Sequence, residues 1–181
     1  PTTNEEVTRM KRAVALAVVA IKVVMTWSTV AWGYADPGQI QTIHRLADEG
    51  IHALWEHYWM PRQSYLSRYQ NDTSRRAGFW TVAQAWDAIM DAVERTGGVE
   101  SPYFPLMEEL YEGAVRRNPT LTNQFNDDMA WWSLAAIRAY EITGEERYLN
   151  MAVSLWNTIL KSWDDTFGGA IWWRNDEKTG K

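Results

Sequence analysis

The sequence predicts an all-α chain built of helical hairpins, and three observations carry that prediction. Apolar residues recur at spacings of three and four through five successive segments. No run of strict alternation marks a strand. Finally, Ala92-Val93-Glu94-Arg95-Thr96-Gly97 resembles Ala139-Tyr140-Glu141-Ile142-Thr143-Gly144 at an offset of 47 residues. In both copies a helix ends at Thr-Gly, where glycine supplies the left-handed residue that closes a helix. A period of this length suits one helical hairpin stacked as a repeated unit.

Each element follows from its own spacing. Ile40, Ile43, Leu46, Ala47, Ile51, Leu54, Trp55 and Tyr58 predict a first helix, closed by Pro61. Val82, Ala85, Trp86, Ile89, Met90 and Val93 predict a second, ending at Gly97-Gly98. Leu106, Met107, Leu110, Tyr111, Ala114 and Val115 give a third, stopped near Asn118-Pro119. The fourth runs from about Asp127 to Ile142 and is apolar nearly all round, which predicts burial on several sides. Tyr148, Met151, Ala152, Leu155, Trp156, Ile159 and Leu160 form a fifth stripe.

Composition bounds the function. With 181 residues, the chain suits one well-cored domain. A net charge of −5 argues against a nucleic-acid partner, because a phosphate backbone calls for a basic surface. Without cysteine there is no disulfide, thiolate metal site or cysteine nucleophile. His44, His52 and His57 lack the register of a helical metal pair, so neither a metal nor another cofactor is expected. The 12 Trp against 4 Phe are unusual, and they fit either a core of large rings or a cleft with flat aromatic walls.

The N-terminal stretch reads separately. Met10-Lys11-Arg12 precedes the apolar run 13–21, and Gly33-Tyr34-Ala35 follows. The pattern fits a buried terminal helix or a secretory signal, and the run is too short to span a bilayer. Residues 1–36 are therefore read as an N-terminal extension or signal-like apolar helix, and 37–181 as the domain whose catalytic character its motifs have to decide. A secreted or cell-envelope location is expected, with the cytoplasm left open.

The stretch richest in chemistry is Asn126-Asp127-Asp128-Met129-Ala130-Trp131-Trp132. Two carboxylates beside apolar surface are costly unless paired or used. One reading is a helix cap, with Asn126 or Asp127 at the cap and Asp128 in the first turn. The other is a catalytic pair. A helix start favours an ionised nucleophile, and a partly desolvated neighbour keeps its proton and acts as an acid. Neighbouring helical carboxyls can sit about 5–6 Å apart, closer to the spacing of a retaining glycosidase than of an inverting one. A second stretch, Trp163-Asp164-Asp165-Thr166-Phe167-Gly168-Gly169-Ala170-Ile171-Trp172-Trp173, reads as a turn with solvated acids, followed by two Trp that bury or line a cleft. Trp80 and Gln84 share one helix face and could reach the same rim.

The acid stretch, Thr143-Gly144 with Tyr148-Leu149, and Phe167-Gly168-Gly169-Ala170-Ile171-Trp172-Trp173 together resemble glycoside hydrolase family 76. Phe79 to Asp91 is similar to that family's second barrel helix, and the likeness covers roughly residues 45–175. It implies an (α/α)6 barrel and endo-acting cleavage of α-1,6-linked mannan with retention. It further implies Asp127 as nucleophile, Asp128 as general acid/base, and Trp80, Gln84, Trp172 and Trp173 near the sugar. Six hairpins of about 47 residues need on the order of 300 residues, so an incomplete barrel is expected in this chain, as a clipped product or as a half that pairs with another copy. Helix faces left open in such a half would favour self-association. The alternatives are a glycan-binding or self-associating helical fragment that does not cleave, or another (α/α)6 enzyme such as an epimerase.

Overall fold

The computed structural model describes residues 36–180. The chain divides into two units between Arg45 and Leu46. The apolar run 13–21 and the extension read from it lie outside the described residues, apart from Asp36.

Five helices carry the fold: α1 (Pro37–Tyr58), α2 (Phe79–Arg95), α3 (Phe104–Arg117), α4 (Asn126–Thr143) and α5 (Glu146–Ile159). All five fall where the apolar spacing places them. The strands are the departure from the all-helical reading. Strands β1 (Trp59–Met60), β2 (Tyr65–Tyr69) and β3 (Asp72–Arg76) form an antiparallel sheet in that order. Tyr65, Leu66 and Ser67 of β2 are all buried, so the strand shows no alternation to find. The turn into β3 uses Asn71 at φ 55, a conformation that asparagine tolerates. Two shorter strands, β4 (Trp163–Asp164) and β5 (Ala170–Ile171), pair antiparallel after α5.

The internal repeat proves to be structural. Thr96 Oγ1 donates to the Ala92 carbonyl at 2.7 Å, and Thr143 Oγ1 donates to the Ala139 carbonyl at 2.8 Å. Gly97 and Gly144 follow at φ 118 and 72. Both helices therefore end by the same device: a hydroxyl satisfies a last-turn carbonyl and a glycine takes the left-handed residue.

The core is aromatic, with one ring from each of four helices. Trp86 of α2 lies 5.1 Å from Tyr111 of α3, 5.7 Å from Trp132 of α4 and 5.9 Å from Tyr148 of α5, centroid to centroid. The Trp86 indole N–H donates to the Met107 carbonyl at 2.9 Å, so the ring is buried without an orphaned donor. Beside the core, Gly113 lets α3 close onto the turn before β2. A Cβ there would stand 1.7 Å from the Ser64 carbonyl oxygen, so no side chain fits without moving the backbone.

Among the described Trp residues only Trp86 and Trp132 are fully buried. Helix α4 is correspondingly less enclosed than its composition suggests, with Trp131 44% and Leu134 58% exposed. Val153 and Trp156 of α5 and Leu160 just past its end are also exposed. Further along the same face of α4, Arg138 ties the helix to α2, reaching Asp87 at 3.0 Å and Glu94 at 2.5 Å and also pairing with Asp91. Among the described residues, no helix is long and apolar enough to cross a membrane.

Candidate active site

The site is built around the start of α4. Before it, Asn123 folds back so that its Oδ1 accepts the Phe125 N–H at 2.9 Å. Phe125, extended at φ −104, occupies the cap position, and the helix begins at Asn126. The cap expected at Asn126 or Asp127 is therefore not used. The Asn126 amide donates instead to the Trp172 carbonyl at 2.7 Å, away from its own helix. Asp127 and Asp128 both fall in the first turn, where the exposed N–H groups favour negative charge.

The two acids meet different surroundings. Asp127 is exposed, whereas Asp128 is half-buried and its Oδ2 accepts an N–H from Asn123 Nδ2 at 2.7 Å. Burial pushes the Asp128 carboxyl above the ordinary aspartate range. The Asn123 hydrogen bond opposes that rise, and the neighbouring Asp127 charge adds to it. One turn on, Trp131 follows Asp127 on the outer face and stays 44% exposed, while Trp132 follows Asp128 inward and is fully buried.

The second stretch named by the sequence is brought to the same place. Phe167, Gly168 and Gly169 all take positive φ and turn the chain from β4 into β5. It then runs along the residues before α4. The Trp173 carbonyl accepts the Asn126 N–H at 2.9 Å, Arg174 bridges Phe125 antiparallel, and the Asn175 N–H reaches the Gln124 carbonyl at 3.0 Å. Trp173 lies 5.0 Å from the Phe125 ring and stays half exposed. The Trp172 indole donates to Asp164 Oδ2 at 2.7 Å, and Lys178 Nζ reaches the same oxygen at 2.8 Å. Asp164 is thus a clamp on Trp172, not the solvated turn acid that its neighbourhood suggested. An acid eight residues before an indole gives little sign of this in sequence.

Trp80 and Gln84 are placed less directly. The first turn of α2 is tied to α4 by Trp132 Nε1, which donates to the Phe79 carbonyl at 3.1 Å, and by ring contact at 5.6 Å. Trp80 beside it is 52% exposed and Gln84 half-buried. Among the described residues, no hydrogen bond or ring contact joins either to the acid pair. Asn123, Asn126 and Asn175 are the polar residues that organise the site, and only Asn126 had drawn notice, as a cap. A cavity of about 350 Å³ lies elsewhere, between α1 and α3; Ile51, His52, Trp55 and Tyr103 line it, and it holds none of these residues.

Neighbouring acids thus stand at a helix start, with indoles on the helix and on the segment bound to it, in a fold of helical hairpins. Residues 42–181 match the profile of glycosyl hydrolase family 76, and the chain belongs to that family. It is 30% identical over 95 residues to a mannan endo-1,6-alpha-mannosidase of Saccharomyces cerevisiae, covering 49% of this chain and 18% of that protein. The fold matches the α-1,6-mannanase of Salegentibacter sp. HEL1_6 with TM-score 0.66 and 29% identity, over 75% of this chain and 39% of that one. An inactive variant of that enzyme, with two neighbouring aspartates changed to asparagine, was solved with α-1,6-mannotriose. It matches at TM-score 0.66 and 28% identity, over 74% and 38% of the two chains. This chain therefore spans less than half the length of these relatives.

Proposed function

We propose that the protein hydrolyses α-1,6-mannosidic bonds in mannan with retention, using Asp127 as nucleophile and Asp128 as general acid/base. The observation that carries this reading is the split environment of the adjacent acids: Asp127 open at the helix start, Asp128 half-buried and held toward its protonated form. The inactivity of the Salegentibacter variant lacking two neighbouring aspartates supports it.

In the first step an Asp127 oxygen forms a bond to the anomeric carbon while Asp128 gives its proton to the departing glycosidic oxygen. In the second, Asp128 takes a proton from water, the water oxygen attacks the same carbon, and Asp127 leaves as carboxylate. Two inversions give net retention. Trp80, Gln84, Trp172 and Trp173 are assigned to the glycan, the indoles as flat faces for pyranose rings. The basic Met10-Lys11-Arg12 followed by the apolar run 13–21 favours a secreted or cell-envelope location.

Proton NMR of α-1,6-mannotetraose during digestion tests the mechanism. The α-anomer of the new reducing end should appear first and the β-anomer only by later mutarotation. First appearance of the β-anomer would overturn retention, and a spectrum that never changes would overturn hydrolysis.

A second reading, self-association, rests on the exposed apolar side chains of α4 and α5. Light scattering should show a mass that rises with concentration and falls to the monomer in a Leu134→Lys/Trp156→Glu variant. A monomer throughout would remove it.

A further inference from the structure

We propose that Asn123 is a positioning residue that fixes which oxygen of Asp128 carries the proton, leaving Oδ2 as the acceptor and Oδ1 as the proton-bearing atom. The inference rests on the reading of Asp128 as the general acid/base and deepens it.

A carboxylic acid has two oxygens, and only the one bearing the proton can give it to a leaving group. Asn123 decides between them because its own carboxamide cannot turn over. Its Oδ1 accepts the Phe125 N–H at 2.9 Å, so a flipped amide would set its NH2 against that N–H. The NH2 therefore faces Asp128 and donates to Oδ2 at 2.7 Å. A hydrogen on Oδ2 directed at Asn123 would meet a second donor. The proton of the neutral acid accordingly resides on Oδ1.

The residue is itself held from the far side. Its carbonyl accepts an N–H from Asn175 Nδ2 at 2.8 Å, and Asn175 lies on the segment that carries Trp172 and Trp173. The acid's orientation and the indole segment are thus joined through one asparagine. Among the described residues, the charged group that acts on Asp128 is Asp127 on the same helix, and the facing segment carries Arg174 beside the Phe125 ring. Arg174 is engaged by Asp176 at 2.6 Å and by Glu177 at 2.6 Å. Among the described residues, the Asn123 amide is the donor that addresses Asp128.

Asn123→Asp tests this with little change of shape. It keeps an acceptor for the Phe125 N–H and replaces the donor to Asp128 by a second acid. Asn123→Ala removes both contacts and serves as the companion variant, with circular dichroism melting to show that each folds. Carboxyl carbons of 13C-aspartate-labelled protein, with Asp128 assigned through Asp128→Asn, report the titration directly. The Asp128 midpoint should move up by about one unit in Asn123→Ala and further in Asn123→Asp, where the two acids share a proton. Mannan hydrolysis should fall by about 10-fold or more in kcat with little change in KM, and its alkaline limb should move to higher pH. An unchanged Asp128 midpoint in both variants would overturn the proposal. Absence of mannan hydrolysis in the unsubstituted protein would overturn the functional reading alone, because the NMR titration decides the role of Asn123 without turnover.

Discussion

Asp127→Asn and Asp128→Asn are each expected to bring cleavage of α-1,6-mannan close to background while leaving the fold intact. The two losses should differ in kind. General acid/base catalysis is worth about 10²- to 10⁴-fold, so Asp128→Asn should fall by that range on mannan. It should lose far less in the first step on an aryl mannoside, whose leaving group needs no proton. Asp127→Ala should be slow on every substrate, because no covalent intermediate forms without the nucleophile. Added azide should restore bond cleavage there and yield the β-mannosyl azide, the product of a single inversion. Full activity in either variant would remove that residue from the chemistry.

Stability separates these variants from merely damaged ones. Asp127 is exposed at the helix start, so the amide costs only part of a favourable dipole interaction, about 0.3–1 kcal/mol. Asp128 should behave oppositely. Its carboxyl is raised by burial in the folded protein, so its contribution favours folding below the ordinary aspartate range and is lost as pH rises through the raised value. At neutral pH the ionised form is held against burial, and the uncharged amide is free of that cost. Asp128→Asn should thus melt at or above the temperature of the unchanged protein at neutral pH, and the difference should close as the buffer is made acidic. An amide at this position can turn its oxygen toward Asn123 and keep the hydrogen bond.

The helices were legible because each buries one stripe, and a stripe leaves a period in the sequence. The split between the two acids was partly legible: a helix start with one desolvated neighbour was expected, and Asp127 is exposed while Asp128 is half-buried. The closing of Trp172 and Trp173 onto α4 was not legible from spacing. It depends on backbone contacts from Trp173, Arg174 and Asn175 to Gln124, Phe125 and Asn126, which carry no side-chain signature. Asn123 and Asp164 were hidden by ordinariness. Each sits in a turn, where Asn and Asp usually serve only the local chain, and only the three-dimensional arrangement shows what else they hold. Strand β2 was hidden because burial of three consecutive residues erases alternation.

Trp86→Ala is expected to cost about 3–5 kcal/mol, the range for removing a large ring from a packed core. Three effects combine there. The void has rings from α3, α4 and α5 around it, so no single neighbour can collapse to fill it. The aromatic pairs are lost together with the area they bury. The Met107 carbonyl, which accepts the indole N–H at 2.9 Å, loses that donor in a dry interior. Against a total stability of about 5–15 kcal/mol this leaves a marginal protein. Urea unfolding followed by circular dichroism measures the loss. Trp86→Phe isolates one part of it, keeping a ring while deleting the N–H, and should cost about 1–3 kcal/mol. The consequence reaches the site through Trp132, which touches Trp86 at 5.7 Å and stands one turn beyond Asp128 while holding the Phe79 carbonyl of α2. The core that stabilises the hairpins is therefore the same structure that sets the acid-bearing turn against the segment carrying Trp80. In Trp86→Phe, mannan cleavage should therefore fall ahead of the folded fraction as urea is raised. Activity that tracks the folded fraction throughout would show that the ring supports the fold alone.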